Sequence, residues 1–176
     1  LTRAANYYKA QLKKSPVAID YLKNRGLTGQ VAARYGMGYA PDAYQNLEAV
    51  VENYASNTQL DLAGLTKISD SNRRYDAFRG RIMFPVYALG GKVAGFSGRT
   101  LSSDAETPKY VNSSESAIFK KSDLLYGLHQ AQKPIRTADM ALLCEGQIDV
   151  ITLAQHGFEN AVAPMGTALT DNQCRL

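Results

Sequence analysis

The run Cys144-Glu145-Gly146-Gln147-Ile148-Asp149 sets two carboxylates on either side of a glycine. Residues 140–144 ahead of it are apolar and strand-like, and 148–156 behind it carry a helical period that Gly157 ends. Glu145 therefore falls at the carboxyl end of a buried strand, where open α/β sheets place functional groups. Gly146 permits a tight turn with the backbone near a ligand, and Asp149 lies in the first turn of the helix. Carboxylates so placed can gather divalent cations, which take oxygen ligands. Glu145 can instead assist proton transfer in phosphoryl chemistry. Acidic residues also favour helix N-termini for dipole reasons alone, so the pattern by itself leaves all three readings open.

A second set of residues suits a polyanion. Arg79 and Arg81 are two apart and, on an extended segment, would share one face opposite Ile82 and Phe84. Arg99 closes the returning strand, and Lys109 and Lys121 bracket the Tyr110-Val111-Asn112 segment, with Lys120 a weaker candidate. Arginine suits bidentate phosphate contact and lysine acts as a point charge. Tyr110 and Asn112 can contact nucleic acid, since aromatics stack on bases; burial accounts for Tyr110 nearly as well. The Met165-Gly166-Thr167 loop follows the next apolar strand, so Gly166 and Thr167 are either phosphate-proximal or a simple turn. Phe84, Phe96 and Tyr87 read as core. His129 and His156 read as ordinary packed or surface residues, and with Cys144 and Cys174 they lack zinc-finger spacing, so no zinc site is expected.

The charge distribution follows the same division. Residues 67–136 hold twelve Lys/Arg against six Asp/Glu, whereas 137–176 hold one against five. A basic middle before an acidic end fits phosphates held by the first and cations by the second; random fluctuation of surface charge is the plain alternative.

The elements that must position these groups begin with helices. Thr2 opens a helix to Lys14, Ser15-Pro16 starts a second that Gly26 ends, and Thr28 opens a third through Tyr35, stopped by Gly36. An amphipathic stretch over 44–54 and a short turn around Leu60–Leu65 complete a helical first third. From Lys67 the pattern changes: 81–87 and 92–100 are strands joined at Gly90-Gly91, with Pro85 arguing for an edge or a bulge. A polar loop follows over 102–108, a brief strand over 109–111, and a helix from Ser122 to about Gln132. The last forty residues read as strand, helix and strand (161–163), which implies parallel pairing through a right-handed crossover. The expected class is α+β: a helical and mixed basic subdomain with a β-hairpin over 1–137, then a partial, Rossmann-like parallel subdomain over 138–176.

Hydrophobic content of 45% and charged content of 20% are those of a globular protein with a real core. No apolar run approaches the roughly 20 residues of a membrane span, and two cysteines do not make a disulfide scaffold, which fits a reducing, cytoplasmic setting. The start at Leu1 rather than Met, and a parallel sheet broken off at Leu176, suggest a piece of a longer chain.

The run CEGQIDVITLAQHGFENAVAPMGTALT resembles the opening of a Toprim domain, the metal-binding module of primases, topoisomerases and some nucleases. It is most similar to the bacterial DnaG-type primase version. YDAFRGRIMFPVYALGGKVAGFSGRT resembles that family's basic-subdomain hairpin, and TPKYVNSSESAIFKKSDLLYGLHQA and YLKNRGLTGQVAARYGMGYAPD are similar to its other segments in the same order.

The resemblance implies a polymerase core that makes short RNA primers from ribonucleoside triphosphates on single-stranded DNA. Glu145 would be catalytic and would share metal binding with Asp149. Arg79, Arg81, Arg99, Lys109, Tyr110, Asn112 and Lys121 would hold nucleic acid or nucleotide, with Gly146, Gly166 and Thr167 near phosphate. Mg2+ or Mn2+ is the implied cofactor. A replicative helicase and a single-strand-binding protein are the implied partners, and the replication fork at the nucleoid the implied location. The family's later Asp-x-Asp motif and its preceding zinc module have no counterpart in these residues, so the piece alone is expected to lack primer synthesis. A non-catalytic nucleic-acid-binding module, another Toprim enzyme (topoisomerase or nuclease) and the primase part of a primase–helicase, of phage or plasmid type, stand as alternatives.

Overall fold

The computed structural model describes residues 1–51, 54–166 and 168–176. In chain order it runs α1 (Thr2–Lys14), α2 (Pro16–Asn24), α3 (Gly29–Arg34), β1 (Gly38–Ala40), α4 (Asn46–Val51), α5 (Asn57–Leu62), β2 (Thr66–Ile68), β3 (Arg74–Asp76), β4 (Arg81–Tyr87), β5 (Val93–Thr100), β6 (Tyr110–Asn112), β7 (Leu125–Tyr126), α6 (Leu128–Ala138), β8 (Leu142–Leu143), α7 (Gln147–Gln155), β9 (Ala161–Pro164) and α8 (Asp171–Cys174). A 3-10 turn, Lys121–Asp123, precedes β7. The mixed α+β class is as expected. Among the described residues no helix is long and apolar enough to cross a membrane.

Local chemistry accounts for the helix starts. Ser15 accepts from Ala18 N ahead of Pro16, and Thr28 accepts from Val31 N, each satisfying one of the donors a helix leaves open at its start. Helix α1 buries Ala4, Tyr8 and Leu12 on one face. It lies directly on β1: a Cβ at Gly38 would sit 2.6 Å from Tyr8 Cβ, so the close approach needs glycine. Tyr8 then meets Phe96 edge-on at 5.4 Å.

The basic middle forms an antiparallel sheet of order β1-β4-β5-β6. Strand β4 is central and buried on both faces, with Ile82, Met83, Phe84, Val86 and, from β5, Phe96 fully enclosed. Pro85 lies beyond the last residue that β1 pairs, Met83, so β4 presents a local edge there that needs no donor. The register shifts just after it, between Val86 and Tyr87. Tyr87 is half-buried, its ring 5.7 Å from that of His129.

Strands β2 and β3 form a two-stranded antiparallel sheet, and a three-stranded sheet has the order β7-β9-β8, with β8 and β9 parallel and α7 crossing between them. Strand β7 pairs antiparallel with β9, which corrects the helix expected from Ser122. Ser122 Oγ is bonded to Asp123 Oδ1 rather than capping, and the helix instead begins after Gly127, whose φ of +82° breaks the chain direction. A Cβ there would stand 2.7 Å from Val150 Cγ1 of α7. Helix α6 also continues past Gln132 through Pro134, an interior position that costs a backbone hydrogen bond. Strands β1, β2 and β3 were not expected; at three residues each they are too short to show a period.

The two regions are pinned to each other. Gln155, at the end of α7, donates through Nε2 to the Gly26 carbonyl at 2.8 Å and accepts from Thr28 N at 2.8 Å. Arg34 pairs with Glu159 nearby. One core cluster contains residues of both regions, among them Tyr35, Phe84, Tyr126, Val150, Ile151 and Ala163.

Candidate nucleic-acid and carboxylate site

Cys144 N donates to the Val162 carbonyl at 2.8 Å, extending the parallel pairing to the residue before Glu145. Glu145 and the Met165-Gly166 segment therefore leave the sheet at the same edge, the carboxyl ends of β8 and β9. Glu145 is exposed there. Asp149 Oδ2 accepts from Gly146 N at 3.1 Å, so this carboxylate closes the turn at the start of α7. Its Oδ1 keeps lone pairs free of that turn. Burial first, and the Asp149 charge second, raise the Cys144 thiol above its ordinary value, so Cys144 is a poor nucleophile here.

Two exposed carboxylates four residues apart match the oxygen donor set of a hard divalent cation in kind. Among the described residues, no group of three His, Cys, Asp or Glu could enclose one.

The cationic residues divide between two faces of the first sheet. On one, Arg99 Nη1 donates to Tyr110 Oη at 2.9 Å, and its guanidinium carbon stands 5.2 Å from the Tyr110 ring centre and 5.6 Å from that of Tyr21. Asn112, on the same side of β6 as Tyr110, donates through Nδ2 to the Met165 carbonyl at 2.9 Å. Gly166, with φ of +85°, is exposed immediately beyond. Arg99 Nε and Asn112 Oδ1 are both buried with no partner among the described residues, two polar atoms left open on this face. Contacts thus run unbroken from Arg99 through Tyr110 and β6 to the loop that borders the Glu145 edge.

On the other face, Val111 lines a cleft of about 740 Å³ together with Arg79, Arg81 and Lys67. The shared strand face expected for the two arginines is not what forms. Gly80, at φ +59°, breaks the extended alternation between them. Arg79 is half-exposed with its guanidinium carbon 3.9 Å over the Tyr44 ring. Arg81 is buried at 7% exposure and donates to the carbonyls of Gly98 at 3.2 Å and Pro108 at 2.9 Å. Burial, and then the neighbouring Arg79 charge, pull its guanidinium below the ordinary arginine value. Arg81 therefore holds the backbone that frames the cleft. This cleft contains neither Glu145 nor Asp149.

Lys109 is exposed beside β6. Lys121 is half-buried in the 3-10 turn, its N–H donating to Glu115 Oε1 at 3.2 Å and its carbonyl accepting from Gln173 Nε2 at 2.7 Å. Thr167 lies outside the described residues. Sequence reasoning did not single out Lys67, Tyr39, Tyr44 or Tyr75, all of which line the arginine cleft. The signal available was the density of tyrosines (eleven in the chain) near the Arg73–Arg81 cations.

The class these features define is an antiparallel sheet bearing arginines joined to a small mixed sheet with a carboxylate edge. The family follows from comparison. Residues 7–132 match the model of the DNA primase catalytic core, N-terminal domain, and residues 139–176 match that of the Toprim domain. The chain belongs to the DnaG-type DNA primase catalytic-core family. A DNA primase of Legionella pneumophila is 46% identical over 177 aligned residues, 100% of this chain and 30% of that protein. One from Neisseria meningitidis serogroup A is 44% identical over 98% of this chain and 28% of its own length. The crystal structure of a DNA primase domain from Pseudomonas aeruginosa matches 99% of this chain and 55% of its own, with 42% identity and a TM-score of 0.88. A DnaG primase catalytic domain bound to single-stranded DNA matches 98% and 56%, with 39% identity and a TM-score of 0.88. The chain thus spans less than a third of these curated relatives' length and just over half of the solved cores. Family and Toprim module both imply use of a divalent metal.

Proposed function

We propose that this chain supplies the template-holding sheet and one carboxylate corner of a primase, which makes short RNA primers from ribonucleoside triphosphates on single-stranded DNA. The observation that supports it most is the Asn112–Met165 bond, which joins the cationic face bearing Arg99 and Tyr110 to the edge from which Glu145 emerges. The division of labour is between residues 1–137, which hold phosphates, and 138–176, which present carboxylates.

Arg99 and Lys109 neutralise backbone phosphates without reading sequence, and Tyr110 and Asn112 border the strand's path. Arg79 and Lys67 line a second cationic track in the tyrosine-lined cleft, while Arg81 holds the backbone that frames it. Lys121 adds a charge near β7. Gly146 and Gly166 let backbone approach phosphate at the carboxylate edge. Glu145 and the free oxygen of Asp149 would hold Mg2+ or Mn2+, which supplies charge neutralisation and an activated oxygen nucleophile when bound. Glu145 would alternatively accept a proton from a primer 3′-hydroxyl. A helicase that exposes template and a single-strand-binding protein are the partners such an enzyme would meet at the cytoplasmic replication fork.

The test is incorporation of labelled ribonucleotides by the full-length protein on a single-stranded template with and without Mg2+. Template-dependent RNA that disappears on chelation supports the reading. Retained single-stranded DNA binding with no RNA product under any divalent metal makes this a binding module instead.

A further inference from the structure

Helices α1, α2 and α3 enclose an open pocket of about 310 Å³ floored by Leu12, Ile19, Leu22, Leu27, Ala32 and Met37. Its remaining lining includes three lysines, Lys9 and Lys13 from α1 and Lys23 from α2, and no acidic residue. All three lysines are exposed, and among the described residues none forms an ion pair. An apolar floor whose charged lining is cationic throughout is complementary to an apolar side chain flanked by carboxylates.

The pocket differs from the two nucleic-acid faces in what it lacks. It contains no aromatic side chain on which a base could stack and no arginine to fork a phosphate. Thr28 carries its only uncharged side-chain hydroxyl or amide. Helix α2 separates it from the arginine cleft: Val17 lines the cleft, whereas Ile19, Leu22 and Lys23 face the pocket. Its wall is fixed, because the Gly26–Thr28 turn is held by Gln155, and Gly29 at its mouth has nothing within 4 Å of a would-be Cβ. The volume lies at the lower end of the range for ligand pockets and suits one or two large apolar side chains.

We propose that this pocket docks a short acidic peptide segment of a partner protein, its apolar side chains seated on Leu12, Leu22, Leu27 and Met37 and its carboxylates against Lys9, Lys13 and Lys23. The site is separate from the sheet faces that hold nucleic acid, so a partner can be bound while a template is engaged.

The probe is a fluorescein-labelled synthetic peptide of aspartates and glutamates carrying two leucines and a phenylalanine, titrated into the full chain by anisotropy. Saturable binding is expected, weakening steeply with added salt. Lys9→Glu, Lys13→Glu and Lys23→Glu combined should weaken it on the order of ten-fold or more. Ala33→Glu, at an exposed position of the same lining, should weaken it independently without touching the lysines. Both variants should keep the wild-type melting curve and single-stranded DNA affinity. Absence of saturable binding, wild-type peptide affinity in the charge-reversed variant, or displacement of the peptide by oligo-dT would each overturn the proposal, the last by making the pocket part of the nucleic-acid surface.

Discussion

Asn112 Nδ2 donates to the Met165 carbonyl at 2.9 Å, tying the last strand of the basic sheet to the loop at the end of β9. Because β8 runs parallel to β9, this bond also sets the Glu145 edge relative to Arg99 and Tyr110. Asn112→Ala should therefore harm synthesis more than binding. Single-stranded DNA affinity of the full-length protein should change less than about three-fold, while primer synthesis drops on the order of ten-fold or more, since small misplacement of reacting groups costs heavily. Equal loss in both would mean that Asn112 acts only by contacting DNA.

The two arginines of the cleft should behave oppositely. Arg81 is buried and bonded to two carbonyls, so Arg81→Met should destabilise the fold by about 2 kcal/mol, leaving those acceptors unsatisfied. Arg79 is stacked on an exposed tyrosine, so Arg79→Ala should leave stability within about 0.5 kcal/mol. It should instead reduce the salt-dependence slope of DNA binding by about one. Urea melts and salt titrations separate the two.

Gln155 makes both of its bonds to backbone groups of the α2–α3 turn. Gln155→Ala should cost about 1 kcal/mol, and hydrogen exchange of Thr28 N–H should quicken. Unchanged exchange there would show that the clasp does not hold in solution.

Asp61 accepts from Arg74 at 2.8 and 3.1 Å and from Thr66 Oγ1 at 2.5 Å, and these bonds hold its carboxyl below the ordinary aspartate value. A carboxylate depressed on folding contributes its full stabilisation above the unfolded value and loses it as pH falls through the folded one. The contribution should therefore be intact at neutral pH, begin to fall near the ordinary carboxylate value and be gone only once pH has dropped through the lower folded value. Its size is about 1 kcal/mol or less for a half-buried pair that solvent still screens. Asp61→Asn should flatten the acid limb of a melting-temperature profile; an unchanged limb would contradict this.

What the sequence made legible was what local chemistry dictates. The Ser15-Pro16 and Thr28 caps, the Arg81–Thr100 hairpin and the β8-α7-β9 crossover each carry their signal within a few residues. Of the elements missed, β7 and β1 depend on distant partners: β7 exists because Pro164 and Ala163 pair with Leu125 and Tyr126, and β1 because Met83 pairs with Gly38; β2 and β3 pair locally but are too short to carry a period. Distance matters at the site too. Glu145 could be placed at a strand end from hydropathy, but the burial of Arg81 beside a half-exposed Arg79 in one cleft follows the turn at Gly80. The partition of cations over two faces turns on how β6 pairs with β5.

The most direct measurement is primer synthesis by the full-length protein carrying Glu145→Gln, with its single-stranded DNA affinity determined in parallel. If the exposed carboxylate at the end of β8 holds metal or accepts the proton, synthesis falls by roughly a hundred-fold or more while DNA binding stays at the wild-type level. Wild-type synthesis by this variant would contradict a catalytic carboxylate at this edge.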